Sequence, residues 1–90
     1  MTIIYKYELK ITDTQLVEIE GFKDFLKVAE QKGNLYLWCL VNKEDKSIYF
    51  AEINIVGTGN PIEQSFKIHR GSYLDSVLMS NGLVWHIFTD

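Results

Sequence analysis

Residues 35–41, LYLWCLV, form a run in which both alternating sets of side chains are apolar. One set comprises Leu35, Leu37, Cys39 and Val41, and the other comprises Tyr36, Trp38 and Leu40. In a β-strand these sets point to opposite faces of the sheet, so a strand of this composition has apolar surroundings on both sides. The stretch therefore predicts a strand at the centre of a sheet, or one that a partner half covers.

The segment before it, residues 22–32, has two interpretations. Phe22, Phe25, Leu26 and Ala29 follow a helical i, i+3, i+4, i+7 spacing, with Gly33 placed to end a helix. Alternatively, a two-residue turn at Lys32-Gly33 would set Val28 opposite Leu37 and Leu26 opposite Cys39 in a hairpin. We favour the hairpin, and one short helix at 22–32 is the alternative.

The flanking segments alternate between apolar and polar residues, as half-buried strands do. In the first segment, the apolar face consists of Ile3, Tyr5, Tyr7, Leu9 and Ile11. After Thr12-Asp13-Thr14, Val17 and Ile19 alternate with glutamates, which suggests an antiparallel return onto the first strand. In SIYFAEINIV, residues 47–56, Tyr49, Ala51, Ile53 and Ile55 are expected inward, and Glu52 and Asn54 outward. A further short strand is expected around residues 66–68.

The last segment, SYLDSVLMSNGLVWHIF at 72–88, contains Asn81-Gly82 between two alternating runs. Both central residues of a type I′ turn have positive φ, which Asn and Gly tolerate best. A two-residue turn here pairs Leu78 with Trp85 and Val77 with His86. Together these segments predict an all-β, mainly antiparallel single domain over residues 1–90, in which about seven short strands form a meander that closes into a small barrel or sandwich.

The charge and cysteine content excludes several classes of function. Nine Lys and Arg stand against twelve Asp and Glu, for a net charge of −3, and no basic block is present, so nucleic acid is not expected as a partner. The first ten residues, MTIIYKYELK, contain no apolar stretch that could insert in a membrane. Cys39 is the only cysteine and sits in an apolar run, which excludes an internal disulfide and favours a reducing cytoplasm.

The segments IYKYEL, ITDTQ, LWCLVN, GTGNPI and VWHIF, in that order, resemble a small family of uncharacterised proteins encoded by bacteriophages. The resemblance covers nearly the whole chain and implies expression in the cytoplasm of an infected bacterial host. The resemblance also supports a strand at 24–31, and it implies no particular activity. Similar proteins often read GTGHPI where this chain has Asn60, so histidine chemistry does not define that loop here.

The loop within NIVGTGNPIEQ, residues 54–64, has two interpretations. Gly57, Thr58, Gly59 and Asn60 resemble a phosphate-binding loop, but Pro61 removes an N–H and no lysine follows. A bulge and turn at a strand end is the simpler reading. If an anion such as a nucleotide binds, the loop is expected to act with His69 and Arg70, since a guanidinium can hold a carboxylate or phosphate with two hydrogen bonds.

Catalysis and metal binding are not expected. His69, His86 and Cys39 are too few for a four-ligand zinc site, so no metal or other cofactor is predicted. His86 and Asp75 share a face across the hairpin and could form a hydrogen bond, but no nucleophile completes a triad.

The chain has more aromatic side chains than one face of a small sheet can readily bury. Either the core is dense in aromatic residues, or some of them point outward and form an interface. The interface candidates are Tyr36, Trp38, Phe50, Tyr73 and Trp85. The leading hypothesis is a non-catalytic phage protein that binds and blocks a host protein, with a component of antiviral defence as one candidate. The alternatives are a protein that sequesters a small anionic ligand and a minor virion structural or assembly protein, and the same aromatic surface could support homo-oligomers.

Overall fold

The computed structural model describes residues 1–62 and 72–89, and this part of the chain is all β. The strands are β1 (Thr2–Leu9), β2 (Thr14–Glu20), β3 (Phe22–Gln31), β4 (Asn34–Asn42), β5 (Ile48–Gly57), β6 (Tyr73–Leu78) and β7 (Val84–Thr89). Residues 22–31 form a strand, so the prediction of a hairpin is confirmed and the alternative of a helix there is wrong. The strand expected around 66–68 lies outside the described residues.

The strands form two antiparallel sheets, which we call sheet I and sheet II. Sheet I has the order β1-β4-β3, and sheet II has the order β2-β5-β7-β6. The expected meander is wrong in its connectivity: β1 pairs with β4, and β2 pairs with β5 instead of returning onto β1. β4 is the central strand of sheet I, as its doubly apolar sequence predicted.

The core lies between the two sheets. It contains Leu9, Val17, Ile19, Val28, Leu35, Leu37, Cys39, Val41, Ala51, Ile53, Ile55, Val77, Met79 and Ile87. Two sequence expectations fail at its edges: Tyr5 and Ile11 are about half exposed. Asn54 points to the outer side of sheet II as expected but is buried, and its side-chain oxygen accepts a hydrogen bond from Thr14 Oγ1 at 2.8 Å.

The β3–β4 hairpin has the predicted two-residue turn. Lys32 and Gly33 both have positive φ, 52° and 84°, as a type I′ turn requires. Val28 pairs with Leu37 as expected, but Phe25 and not Leu26 lies opposite Cys39. A bulge between Phe25 and Lys27 adds one residue to β3, which turns Leu26 away from the core.

The β6–β7 hairpin differs by one residue from the prediction. Val77 pairs with Trp85 and Leu78 with Val84. The loop contains three residues, because Gly82 N–H donates to Met79 O and Met79 N–H donates to Leu83 O. Only Gly82 has positive φ, so this is the three-residue turn that ends in a glycine bulge. His86 therefore lies opposite Ser76 and faces away from the core.

The chain crosses from sheet II to sheet I at a single residue, Gly21, between β2 and β3. Its N–H donates to Ser47 O at 2.9 Å, and its carbonyl accepts from Asn42 N–H at 2.8 Å. Its φ is +70°, and a Cβ here would lie 2.2 Å from Asn42 O. Only glycine fits this corner, which fixes how the two sheets stack.

Candidate functional site

The outer face of sheet I carries a column of two aromatic side chains and one aliphatic side chain along β4, in which Tyr36, Trp38 and Leu40 are all partly exposed. Lys6 of β1 and Lys27 of β3 are the register partners of Trp38, so a lysine stands on each side of the indole. The Lys6 ammonium lies 4.6 Å from the centroid of the Tyr36 ring, a cation–π contact.

An apolar groove of about 360 Å³ crosses this face. It is lined by Ile4, Leu26, Lys27, Ala29 and Trp38. Ile4 is 61% exposed and Leu26 is 42% exposed. Neither residue was predicted here, because strict alternation places Leu26 opposite Cys39 on the core side and Ile4 on the polar set of β1. The bulge in β3 could not be read from alternation, although the doubly apolar β4 indicated that something covers this face.

A second, polar groove of about 560 Å³ adjoins the apolar one toward the β3–β4 turn. Its lining consists of Lys6, Gln31, Lys32, Asn34 and Tyr36. Lys6 Nζ donates to Gln31 Oε1 at 3.0 Å. The two grooves together form a surface with an apolar centre and a cationic side, which we call the sheet I face.

The structure does not bring the five predicted interface residues together. Tyr36 and Trp38 belong to the sheet I face, whereas Phe50 lies on the outer side of sheet II and is 56% exposed. Tyr73 lies beside the glycine loop. Trp85 is partly buried and packs against the core, and its indole Nε1–H is buried without a hydrogen-bond partner among the described residues.

The glycine loop begins where β5 ends. A Cβ on Gly57 would lie 2.6 Å from Asn60 Nδ2 and 3.2 Å from the Trp85 ring, so a larger side chain would displace both. Asn60 N–H donates back to Gly57 O at 3.1 Å, which closes a turn. Gly59 has a φ of +84°. The glycines thus have a structural role, close approach at Gly57 and turn geometry at Gly59.

The loop is fastened to the outer side of sheet II through His86. Thr58 Oγ1 lies 2.6 Å from His86 Nε2, and Tyr73 OH lies 2.9 Å from His86 Nδ1. The two hydroxyls therefore occupy both ring nitrogens. The expected bond between His86 and Asp75 is wrong, since Asp75 faces the core side and its carboxylate accepts from Val28 N–H. Sequence spacing missed the Thr58–His86 contact because 28 residues separate the partners.

Beside this array lies a depression of about 280 Å³. Its lining includes Thr58, Asn60, Ile62, Tyr73, His86 and Phe88. No Lys or Arg is among its described lining residues, so a cation for an anionic ligand would have to come from elsewhere. His69 and Arg70, which were predicted to complete an anion site, lie outside the described residues.

The remaining chemistry is limited. Burial raises the pKa of the Cys39 thiol to about 12, with a smaller contribution from the Asp24 carboxylate, so the thiol is protonated and a poor nucleophile at neutral pH. In the described ranges no three His, Cys, Asp or Glu side chains cluster as metal ligands would. The same residues include no helix with the length and apolar character needed to cross a bilayer.

The fold and these surfaces define a small two-sheet β domain with an aromatic, lysine-flanked outer face. The chain matches over residues 1–90 the model of the family described as Domain of unknown function (DUF7352), and it belongs to that family. No curated protein and no solved structure matches it.

Proposed function

We propose that this protein is a non-catalytic binding protein that occludes a surface of another protein through the sheet I face. The observation that carries the proposal is the apolar groove around Trp38, where Ile4 and Leu26 expose large side chains on a sheet already packed on its other side. Apolar groups collected in one patch favour association, because contact removes them from water.

The composition of the face matches the pattern of protein interfaces. A tryptophan at the centre, aliphatic side chains around it and charged groups at the rim are the arrangement in which a few residues dominate affinity. Each aliphatic side chain that becomes fully buried contributes about 1.5–3 kcal/mol before the cost of association is subtracted. The lysines at the rim favour a partner whose complementary surface is acidic.

The proposed partner is a protein of an infected bacterial host, with a component of antiviral defence as a specific candidate. This part of the proposal is supported by the resemblance to phage-encoded proteins and carries with it action in the host cytoplasm. Blocking requires only that the bound domain cover a functional surface of the partner, so no reacting group is needed.

Affinity capture from host lysate tests the proposal when it is run with matched variants. The wild type is compared with Ile4→Asn and Leu26→Asn, which alter the groove. The control is Leu78→Asn, at a still more exposed position on the outer side of sheet II. We expect the wild type and Leu78→Asn to retain the same host protein. The affinity of each groove variant for that protein should fall at least tenfold, which corresponds to about 1.4 kcal/mol. Equal capture by all four proteins would contradict the proposal.

A second candidate function is the binding of a small molecule beside the glycine loop. The observation that favours it is the depression next to the Thr58–His86–Tyr73 array, which places hydroxyl and imidazole groups beside the Phe88 ring. A thermal-shift screen of nucleotides and inorganic phosphate tests it, because a ligand that binds only the folded state raises the melting temperature. We expect any such shift to disappear in Arg70→Ala and His86→Phe and to persist in Ile4→Asn.

A further inference from the structure

The outer side of sheet II carries a second apolar surface on β2 and β5, distinct from the part beside the glycine loop. Leu16 is 66% exposed, Phe50 56% and Ile48 45%. In the register of β2 and β5 each of them lies beside a glutamate: Leu16 beside Glu52, Phe50 beside Glu18 and Ile48 beside Glu20. Each of these apolar side chains thus lies opposite an acidic one across what we call the sheet II face.

The two faces of the molecule have complementary chemistry. On the sheet I face, Lys6 and Lys27 flank Trp38, and Ile4 and Leu26 extend the apolar centre. The exposed acids of this face, Glu8 and Asp24, lie away from Trp38, beside Tyr36 and Leu40. On the sheet II face, Glu18 flanks Phe50, with Leu16 and Ile48 on either side along the strands. Glu20 already pairs with Lys46 at 3.4 Å, whereas neither Lys27 nor Glu18 has an ion-pair partner among the described residues. Each face presents an exposed aromatic or aliphatic centre with charges that the other can neutralise.

From this complementarity we propose that the sheet I face of one molecule binds the sheet II face of a second copy. The two faces lie on opposite outer sides of the stacked sheets, so one chain cannot satisfy both by itself. The contact is head-to-tail, and repeated use gives a short chain or a closed ring instead of a symmetric dimer. Opposite charges set the orientation, and burial of Phe50 against the groove supplies most of the affinity.

This inference rests on the proposed function only in that both use the sheet I face. Self-association would cover that face until a partner with higher affinity displaces the neighbouring copy. Because the sheet II face takes no part in capturing a host protein, a substitution there separates the two proposals. Phe50→Asn should abolish self-association and leave capture of the host protein unchanged.

Sedimentation equilibrium of the full chain tests the inference. We expect the average mass of the wild type to rise above the monomer mass of 10.5 kDa with increasing concentration up to about 1 mM, the range of a weak contact. We expect this rise to shrink in about 1 M salt, where charges are screened within about 3 Å. Ile4→Asn and Phe50→Asn should each remain monomeric.

Mixing the two variants gives the decisive result. Phe50→Asn retains an intact sheet I face and Ile4→Asn an intact sheet II face, so an equimolar mixture should form a one-to-one dimer and nothing larger. Leu78→Asn should associate like the wild type, and circular dichroism should show all variants folded. A wild type that stays monomeric, a dimer that survives Phe50→Asn, or a mixture that stays monomeric would each overturn the inference.

Discussion

The Asp75 carboxylate in β6 accepts a hydrogen bond from the Val28 backbone N–H in β3, with 3.0 Å between Oδ2 and N. β3 and β6 are edge strands of different sheets. Where the two sheets meet, a side-chain hydrogen bond joins these strands in place of backbone-to-backbone pairing. Nearby, Glu30 accepts from the backbone N–H and the hydroxyl of Ser80 at 2.6 and 2.7 Å. These contacts hold sheet I against sheet II at one side. The contact from Asp75 also gives the backbone N–H of Val28, on an edge strand, a hydrogen-bond acceptor.

Replacing Asp75 should therefore destabilise the fold without touching either outer face. We expect Asp75→Ala to lower the free energy of unfolding by about 1–3 kcal/mol, because it leaves the partly buried Val28 N–H without an acceptor. Asp75→Asn keeps an acceptor oxygen, so its free energy of unfolding should fall by less. Urea denaturation followed by circular dichroism measures both, and equal stability of Asp75→Ala and wild type would show that the contact is not stabilising.

Gly21 should be the least replaceable glycine in the described chain. Gly21→Ala combines strain from positive φ with a Cβ that lies 2.2 Å from Asn42 O, while Gly33→Ala has positive φ and no atom within 4 Å of the Cβ. We expect Gly33→Ala to cost about 1–2 kcal/mol from strain alone. Gly21→Ala should cost clearly more, because backbone atoms at the corner must move. Matched denaturation curves compare them, and equal losses would mean that the corner adapts freely.

The Cys39 thiol should be unreactive in the folded protein. At pH 8 we expect iodoacetamide to label it only after denaturant is added, since burial raises its pKa to about 12 and excludes the reagent. Mass spectrometry with and without urea measures this. The folded protein binds the Cys39 thiol proton more tightly than the unfolded chain does, because its pKa is higher in the fold. The resulting contribution to stability is fully present below the ordinary thiol pKa of 9.0 and is lost as the pH rises toward 12. Rapid labelling of the native protein would contradict the burial of this residue.

The glycine loop should depend on His86 for its order. We expect His86→Phe to speed amide hydrogen exchange at Asn60, whose N–H donates to Gly57 O, because the Thr58 hydroxyl loses its partner on sheet II. Tyr73→Phe removes one hydroxyl but keeps the ring against Phe88, so its effect on exchange should be smaller. Exchange measured by NMR checks both, and unchanged protection in His86→Phe would show that other contacts hold the loop.

Alternation of side chains was enough to predict most strands but not how they pair. The turn at Lys32-Gly33 and the pair Val28–Leu37 follow from local sequence, because a two-residue turn fixes register directly. The Asn81-Gly82 hairpin was predicted with the right strands and the wrong loop length, since the same dipeptide also ends three-residue turns. The partnership of β1 with β4 joins residues more than 25 positions apart, and no local signal specifies it.

The candidate sites show the same division. The sequence made Tyr36 and Trp38 interface candidates, because a strand that is apolar on both faces needs cover on both. It could not show that Leu26 is exposed, because the direction of that side chain depends on a bulge. Nor could it show that Trp85 packs against the core, because alternation alone suits either face.

By itself, then, the sequence determined an all-β chain with a central apolar strand, because side-chain period and turn residues act over a few neighbouring positions. Tertiary structure alone decided the crossover at Gly21, the lysines beside Trp38 and the separation of two complementary faces. These depend on which distant strands pair, and burial of the whole core, not any local preference, selects that pairing.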